Sequence, residues 1–162
     1  MIVKDSIVLI HLAKTSVLKE CCNYFGDVFI PTKVKEEVIK NKYPEERVIL
    51  NLIASKKIKV KEVTKLNLIK KANDFNIQKG EAEAVALYWE LKAEYLATDD
   101  DNVRKKKDIL NLNLIGTPAI ILKLYKNKEI DINKLKQVIA IMRKVGWFGN
   151  TIWDKILIVA EK

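Results

Sequence analysis

The chain of 162 residues is short of cysteine, histidine and glycine, and each shortage removes a class of chemistry. Cys21 and Cys22 are its only cysteines. Side by side, they have neither the spacing of a disulfide framework nor that of a zinc site, and are expected as two reduced, partly buried thiols. The one histidine, His11, lies inside the apolar run Ile7 to Ala13, where packing is its expected role. A Ser-His-Asp hydrolase would have to use it, and no G-x-S-x-G elbow surrounds any serine. Five scattered glycines form no phosphate-cradling loop of nucleotide-binding spacing. No stretch approaches the roughly 20 apolar residues that cross a bilayer, and Met1 leads straight into a strand-like run without a basic and then apolar leader. The expectation is a cytoplasmic protein with no membrane partner.

What the chain has is apolar content and positive charge. At 49% hydrophobic, residues 1–162 suit one domain, large enough to bury close to 70% of the surface exposed by the unfolded form. Thirty Lys and Arg against twenty-one Asp and Glu give a net charge of +9. That excess favours a polyanionic partner, because each phosphate neutralised releases a condensed counterion. A heavily solvated or heat-adapted surface would look similar, since 31% charged residues exceed an ordinary share of about 25%.

The hydrophobic period switches repeatedly along the chain, the mark of an α/β domain. Met1-Ile2-Val3 reads as a buried strand ending at Asp5, followed by a short helix over 6–12. Thr15 or Ser16 is placed to cap a second helix reaching Phe25, with Gly26 ending it. Val28-Phe29-Ile30 is a short strand, and Pro31-Thr32 starts a helix through Ile39 that carries Glu37. Pro44 opens another helix, to about Ser55, and Lys57 to Lys61 alternates as a half-exposed strand does. A helix over about 66–75 precedes the strongest helical signal, introduced by Gly80, in which Ala82, Val85, Ala86 and Trp89 share one face. Tyr95 to Thr98 is a strand that delivers Asp99-Asp100-Asp101. A helix over 102–110, a strand at Leu114-Ile115, a helix opened by Thr117-Pro118 and two further helices complete the chain. The α/β core is expected over about 1–125 and a helical C-terminal extension over about 131–162. Helices between all successive strands imply mostly parallel neighbours and right-handed crossovers.

Against this basic background, acidic residues recur where a strand gives way to a helix: Asp5, Glu37, Glu81 and the run at 99–101. In open parallel sheets the ligand crevice lies outside the carboxyl ends of the strands. Asp5 and the Asp run both sit at such ends, so folding can bring residues nearly a hundred positions apart into one cleft. Gathered carboxylates repel one another, and a divalent cation is the simplest reason to gather them. Helix geometry sorts the candidates: Glu81 and Glu83 lie about 200° apart around a helix, so only one aims at a given ion, and Glu81, in the first turn, is favoured. Each residue alone has a plainer reading. Asp5 or Asp101 can cap a helix, Glu81 can answer a helix dipole, and Glu36 with Glu37 can be a solvated face. Asp99 and Asp100 alternate sides, so only one need enter the cleft.

Taken in order, several segments resemble the PIN domain, in particular the short prokaryotic branch related to VapC-like toxins. They are Val3-Lys4-Asp5-Ser6 with Leu9 to Ala13; Val28 to Val38; Gly80-Glu81-Ala82-Glu83 to Leu87; Thr98-Asp99-Asp100-Asp101-Asn102-Val103-Arg104; and Ile115-Gly116-Thr117. The resemblance covers nearly the whole chain. It implies a three-layer α/β/α sandwich with a mostly parallel central sheet, and an acidic quartet of Asp5, Glu37, Glu81 and Asp100, with Asp99 as a further metal-site residue. Ser6 and Thr98 would support the quartet at the substrate. The chain departs from the family pattern at Lys4, which should point away from Asp5, at Ile7-Val8, and at Asp101, where that branch usually has an arginine.

The resemblance also implies an activity, hydrolysis of RNA by an endoribonuclease that depends on Mg²⁺ or Mn²⁺. Metal would offset the repulsion among carboxylates, bind the scissile phosphate and activate water, so no nucleophilic side chain is required. Arg104 and Lys105, at the head of the run Arg104 to Lys107, would hold flanking phosphates, or else form a solvated helix face. Trp147, Phe148 and Trp153 would stack bases or, as is commoner for such residues, pack in the core. A homodimer and a cognate antitoxin protein are partners implied by the family. The alternatives are a non-catalytic RNA- or protein-binding module that keeps the fold, and a phosphoacceptor receiver domain, which would leave Glu81 without a role.

Overall fold

A computed structural model describes residues 1–162. In chain order the elements are β1 (Ile2–Lys4), α1 (Ser6–Lys14), α2 (Leu18–Phe25), β2 (Val28–Pro31), α3 (Thr32–Lys40), α4 (Glu46–Ala54), β3 (Lys59–Lys61), α5 (Leu66–Asp74), α6 (Lys79–Leu91), β4 (Tyr95–Ala97), α7 (Asp101–Lys105), β5 (Leu114–Ile115), α8 (Thr117–Lys126), α9 (Ile132–Val145) and α10 (Asn150–Ala160). No helix is long and apolar enough to cross a membrane.

The strands form one sheet in the order β3-β2-β1-β4-β5, every pair parallel. Strand pleating sends alternate residues to opposite faces, and two cores result. Ile2, Val28, Ile30 and Ala97 join the larger one, with residues of α1 to α4 and α8 to α10. Val3 and Leu96 join the smaller one, with residues of α5, α6 and α7. The three-layer α/β/α arrangement expected from the family resemblance is thus present, and the last two helices share the larger core through Leu135, Met142 and Trp153.

Topology places the crevice. From β1 the chain steps outward to β2 and β3 with its helices on one face; it then returns through α5 and α6 on the other face to pair β4 with β1. Right-handed crossovers force the change of face when the direction reverses. The helices leaving β1 and β4 therefore diverge, and the gap between them opens at the carboxyl ends of two adjacent strands. Val3 is level with Leu96 and Lys4 with Ala97, so Asp5 emerges beside Thr98.

Several local expectations change. Thr15 and Ser16 do not cap α2, because the Thr15 hydroxyl donates back to the carbonyls of His11 and Leu12 and closes α1 instead. Helix α2 starts at Leu18, after Val17, with no side-chain cap. Pro31 is the last residue of β2 and precedes α3 in extended conformation. Asp101 is not the cap of α7; Asp100, one residue earlier, accepts from the Val103 amide at 2.9 Å. That helix stops at Lys105, well short of Leu110. Cys21 and Cys22 are fully buried, not partly so. Lys4 points away from Asp5 as expected, into the larger core, where it has no exposed surface and its Nζ has no hydrogen-bond partner. The face of the Phe25 ring lies 5.2 Å from that nitrogen.

Candidate active site

Asp5 is the hinge of the site. Its position directly after β1 makes it the cap of α1, with Oδ1 accepting from the Val8 amide at 3.0 Å. Its Oδ2 accepts from the Thr98 hydroxyl at 2.5 Å. The same hydroxyl accepts from the amide of Asp100 at 3.1 Å, so one threonine ties the ends of β1 and β4 together. Burial pushes the Asp5 carboxyl up to about 8, against the opposing pull of the Thr98 and Val8 hydrogen bonds; Asp99 and Glu81 add to the rise by repulsion. Desolvation wins because an ionised carboxylate loses more hydration than these two bonds restore.

Glu37 reaches the same place from α3. Its Oε2 accepts from the Ser6 hydroxyl at 3.1 Å, beside Asp5, and its Oε1 accepts from the Gly80 amide at 2.8 Å at the start of α6. Gly80 allows this approach: a Cβ there would lie 2.3 Å from Glu37 Oε1. Glycine weakens a helix by about 1 kcal/mol relative to alanine, so a glycine in a first turn carries a signal of close approach. From the sequence, Gly80 marks a helix start and belongs to a family-like segment, but its contact with Glu37 has no local signal.

Glu81 follows on α6. Burial raises its carboxyl above the usual range, and repulsion from Glu37 and Asp100 adds to the effect. Glu83, half-buried on another side of the helix, is raised chiefly by burial as well. Asp100 uses Oδ2 to cap α7 and leaves Oδ1 unbonded. Hydrogen bonds thus tie Glu37 to Ser6 and, through Thr98, Asp5 to the amide of Asp100; Ser6 and Asp5 are chain neighbours, so three distant segments meet here, and Glu81 is in electrostatic contact with Glu37 and Asp100.

Asp99 has a different setting. It is buried, and both oxygens are held within the protein: Oδ1 by the Thr117 amide at 2.8 Å, Oδ2 by the Thr117 hydroxyl at 2.5 Å and by His11 Nδ1 at 2.8 Å. The Asp99 carbonyl accepts from the Trp147 indole at 3.2 Å, and Trp147 meets the His11 ring edge-on at 5.4 Å. His11 is packed as expected, but with a specific partner. Sequence reasoning missed Thr117 and His11 as partners of Asp99, for no local pattern links positions 11, 99 and 117. Trp147 remains about half exposed, Phe148 is half-buried, and Trp153 is fully buried.

The oxygen donors suit a hard dication such as Mg²⁺ or Mn²⁺, which prefers carboxylate and hydroxyl ligands. Burial first, and repulsion between carboxylates second, raise the carboxyls of Asp5 and Glu81, and a bound dication would favour their ionised forms. As the side chains stand, no three acidic, histidine or cysteine groups are close enough to enclose an ion. The donors fit the ion by type. Of the basic run, Arg104, Lys105 and Lys107 line a cavity that Thr98 also borders. Lys106 instead turns to the Phe75 carbonyl and the Asn102 side chain.

A family model described as DUF3368, a PIN domain, matches residues 1–162. No curated protein and no solved structure matches the chain.

Proposed function

The chain belongs to the PIN-domain family, and from that premise we propose that it is a metal-dependent endoribonuclease. PIN domains are generally nucleases. The observation that carries the reading is the meeting of Glu37, held by Ser6, with Asp5 and Asp100, tied through Thr98, at the point where the sheet changes direction. Bound Mg²⁺ or Mn²⁺ would supply charge for the scissile phosphate and acidify the attacking water.

In this reading Asp5, Glu37, Glu81 and Asp100 hold the ion. Thr98 and Ser6 keep the carboxylates of Asp5 and Glu37 oriented through the hydrogen bonds they donate. Asp99, named from the sequence among the metal-site residues, contributes by holding the end of β4 against α8 and α1 through Thr117 and His11. Arg104 and Lys105, exposed beyond Asp100, take phosphates flanking the scissile bond. The finer reading, a toxin restrained by an antitoxin and working as a homodimer, rests on family resemblance, and the protein encoded by the adjacent reading frame tests it.

The deciding experiment is cleavage of single-stranded RNA with Mn²⁺. Wild type should cut it, whereas Asp5→Asn and Asp100→Asn should not. Equal cleavage by all three would remove the proposed site.

A further inference from the structure

The peptide unit between Asp99 and Asp100 lies just past the end of β4, where the Thr98 amide donates to the Ile115 carbonyl. Side chains hold it at both ends. Its N–H, on Asp100, donates to the Thr98 hydroxyl at 3.1 Å, and its carbonyl, on Asp99, accepts from the Trp147 indole at 3.2 Å. A peptide group is planar and rigid, so bonds at opposite ends fix its orientation. The next rotatable bond leads to the carbon that carries the Asp100 side chain.

Trp147 comes from far away. It sits in the turn between α9 and α10, 48 positions along the chain from Asp99. Gly146 ends α9 at φ +73°, a conformation other residues seldom adopt, and Met142 and Trp153 anchor the two helices in the larger core. The turn is thereby brought back to the end of β4. His11 braces the Trp147 ring edge-on at 5.4 Å and itself bonds the Asp99 carboxylate at 2.8 Å.

The two tryptophans of this region differ in kind. Trp153 is fully buried and its indole nitrogen has no hydrogen-bond partner, so packing accounts for it. Trp147 leaves 49% of its surface in water yet spends its one donor on the Asp99 carbonyl. We propose that Trp147 is a positioning residue for the acidic site: its indole N–H fixes the Asp99-Asp100 peptide and so sets where the Asp100 carboxylate stands. The inference rests on the reading of Asp100 as a metal ligand. Such a site needs its ligands held to within about 0.5 Å by supporting hydrogen bonds, and the C-terminal extension supplies one of them.

Two variants separate the hydrogen bond from the packing. Trp147→Phe keeps a ring against His11 and removes the donor. Trp147→His keeps a five-membered ring with N–H at the corresponding position and gives up the larger ring; at pH 8 the new imidazole is mostly neutral. Titration calorimetry at that pH should show Mn²⁺ affinity about fivefold weaker in the Phe variant, the scale of one hydrogen bond, and less than about twofold weaker in the His variant. Melting temperatures in chelator should rank the two the other way, because His removes more apolar surface. With saturating Mn²⁺, the Phe variant should lose kcat for RNA cleavage at unchanged KM. Equal Mn²⁺ affinity in wild type and the Phe variant, or a larger loss in the His variant, overturns the proposal. If affinities fall as expected but wild type cuts no RNA, the positioning role stands and the nuclease reading falls. If wild type cuts and the Phe variant binds Mn²⁺ normally, the reverse holds. Wild type that takes up no Mn²⁺ overturns both.

Discussion

Lys4 and Asp5 are neighbours in sequence, both buried, and the fold treats their polar groups in opposite ways. Asp5 faces the crevice, where an amide and a hydroxyl hold its two oxygens and further carboxylates lie close by. Lys4 faces the larger core, with the Phe25 ring for company and no hydrogen bond to its nitrogen. On the crevice side, buried polarity is organised into a network that spans the sheet. On the core side it is scattered: the Lys4 nitrogen, a Glu20 oxygen and the Trp153 indole nitrogen are each buried without a hydrogen-bond partner. Burying an ionised group costs several kcal/mol in general, and in the crevice that cost holds the Asp5 and Glu81 carboxyls protonated to higher pH than usual.

The comparison breaks first at catalysis. Asp5→Asn and Asp100→Asn should lower Mn²⁺-dependent RNA cleavage by about 100-fold or more, the scale of removing one well-placed electrostatic group, while Lys4→Met should change the rate less than about twofold. Single-turnover assays on variants with matched circular dichroism would decide, and a comparable loss in Lys4→Met would erase the distinction between the two sides.

Stability against pH comes next. The folded Asp5 keeps its proton up to about 8, whereas the unfolded group releases it near 3.9. Between those values the folded state binds the extra proton, so stability in chelator should fall as pH rises across that window, by at most about 1.4 kcal/mol per unit. Above it the curve should level. Asp5→Asn should flatten the fall, and Mn²⁺ should raise the melting temperature more at pH 8 than at pH 5. Thermal melts at several pH values measure all three, and a flat wild-type profile would contradict the assignment.

A third variant probes the close approach at α6. Helix propensity favours alanine over glycine by about 1 kcal/mol, yet a Cβ on residue 80 would strike the Glu37 carboxylate. Gly80→Ala should therefore destabilise, by about 1–3 kcal/mol as overpacking does, and should weaken Mn²⁺ binding; denaturant titration and calorimetry would register the sign. The smallest effect belongs to the core side. Lys4→Met replaces an unpartnered buried ammonium with an apolar chain of similar length, and should be neutral to about 2 kcal/mol stabilising. A clear loss of stability would show that the Phe25 ring and the neighbouring thiols hold Lys4 better than their contacts suggest.

Most of the architecture was legible because it is written in neighbouring residues. The apolar run Met1-Ile2-Val3, the helical recurrence of Ala82, Val85 and Ala86, and the Thr117-Pro118 start are local signals, and all mark elements of the structure. Boundaries slipped where a side chain had two equivalent uses: Thr15 ends one helix when it was expected to start the next, and Asp100 caps the helix assigned to Asp101. At the site, the acidic positions could be named, but their neighbours could not. Gly80, Thr117 and His11 carry no acidic signal, and each matters through a residue between 18 and 88 positions away.

By itself the sequence determined that helices separate successive strands, that most neighbouring strands are parallel, and that carboxylates stand at the strand ends, since periodicity and chirality are local properties of the backbone. Only the tertiary structure decided which oxygen meets which donor, which of three consecutive aspartates turns inward to Thr117 and His11, and that Lys4 is shut in the core. Those outcomes depend on distances of about 3 Å between groups remote in sequence, the range over which a hydrogen bond forms or fails, and such distances exist only once both faces of the sheet are packed.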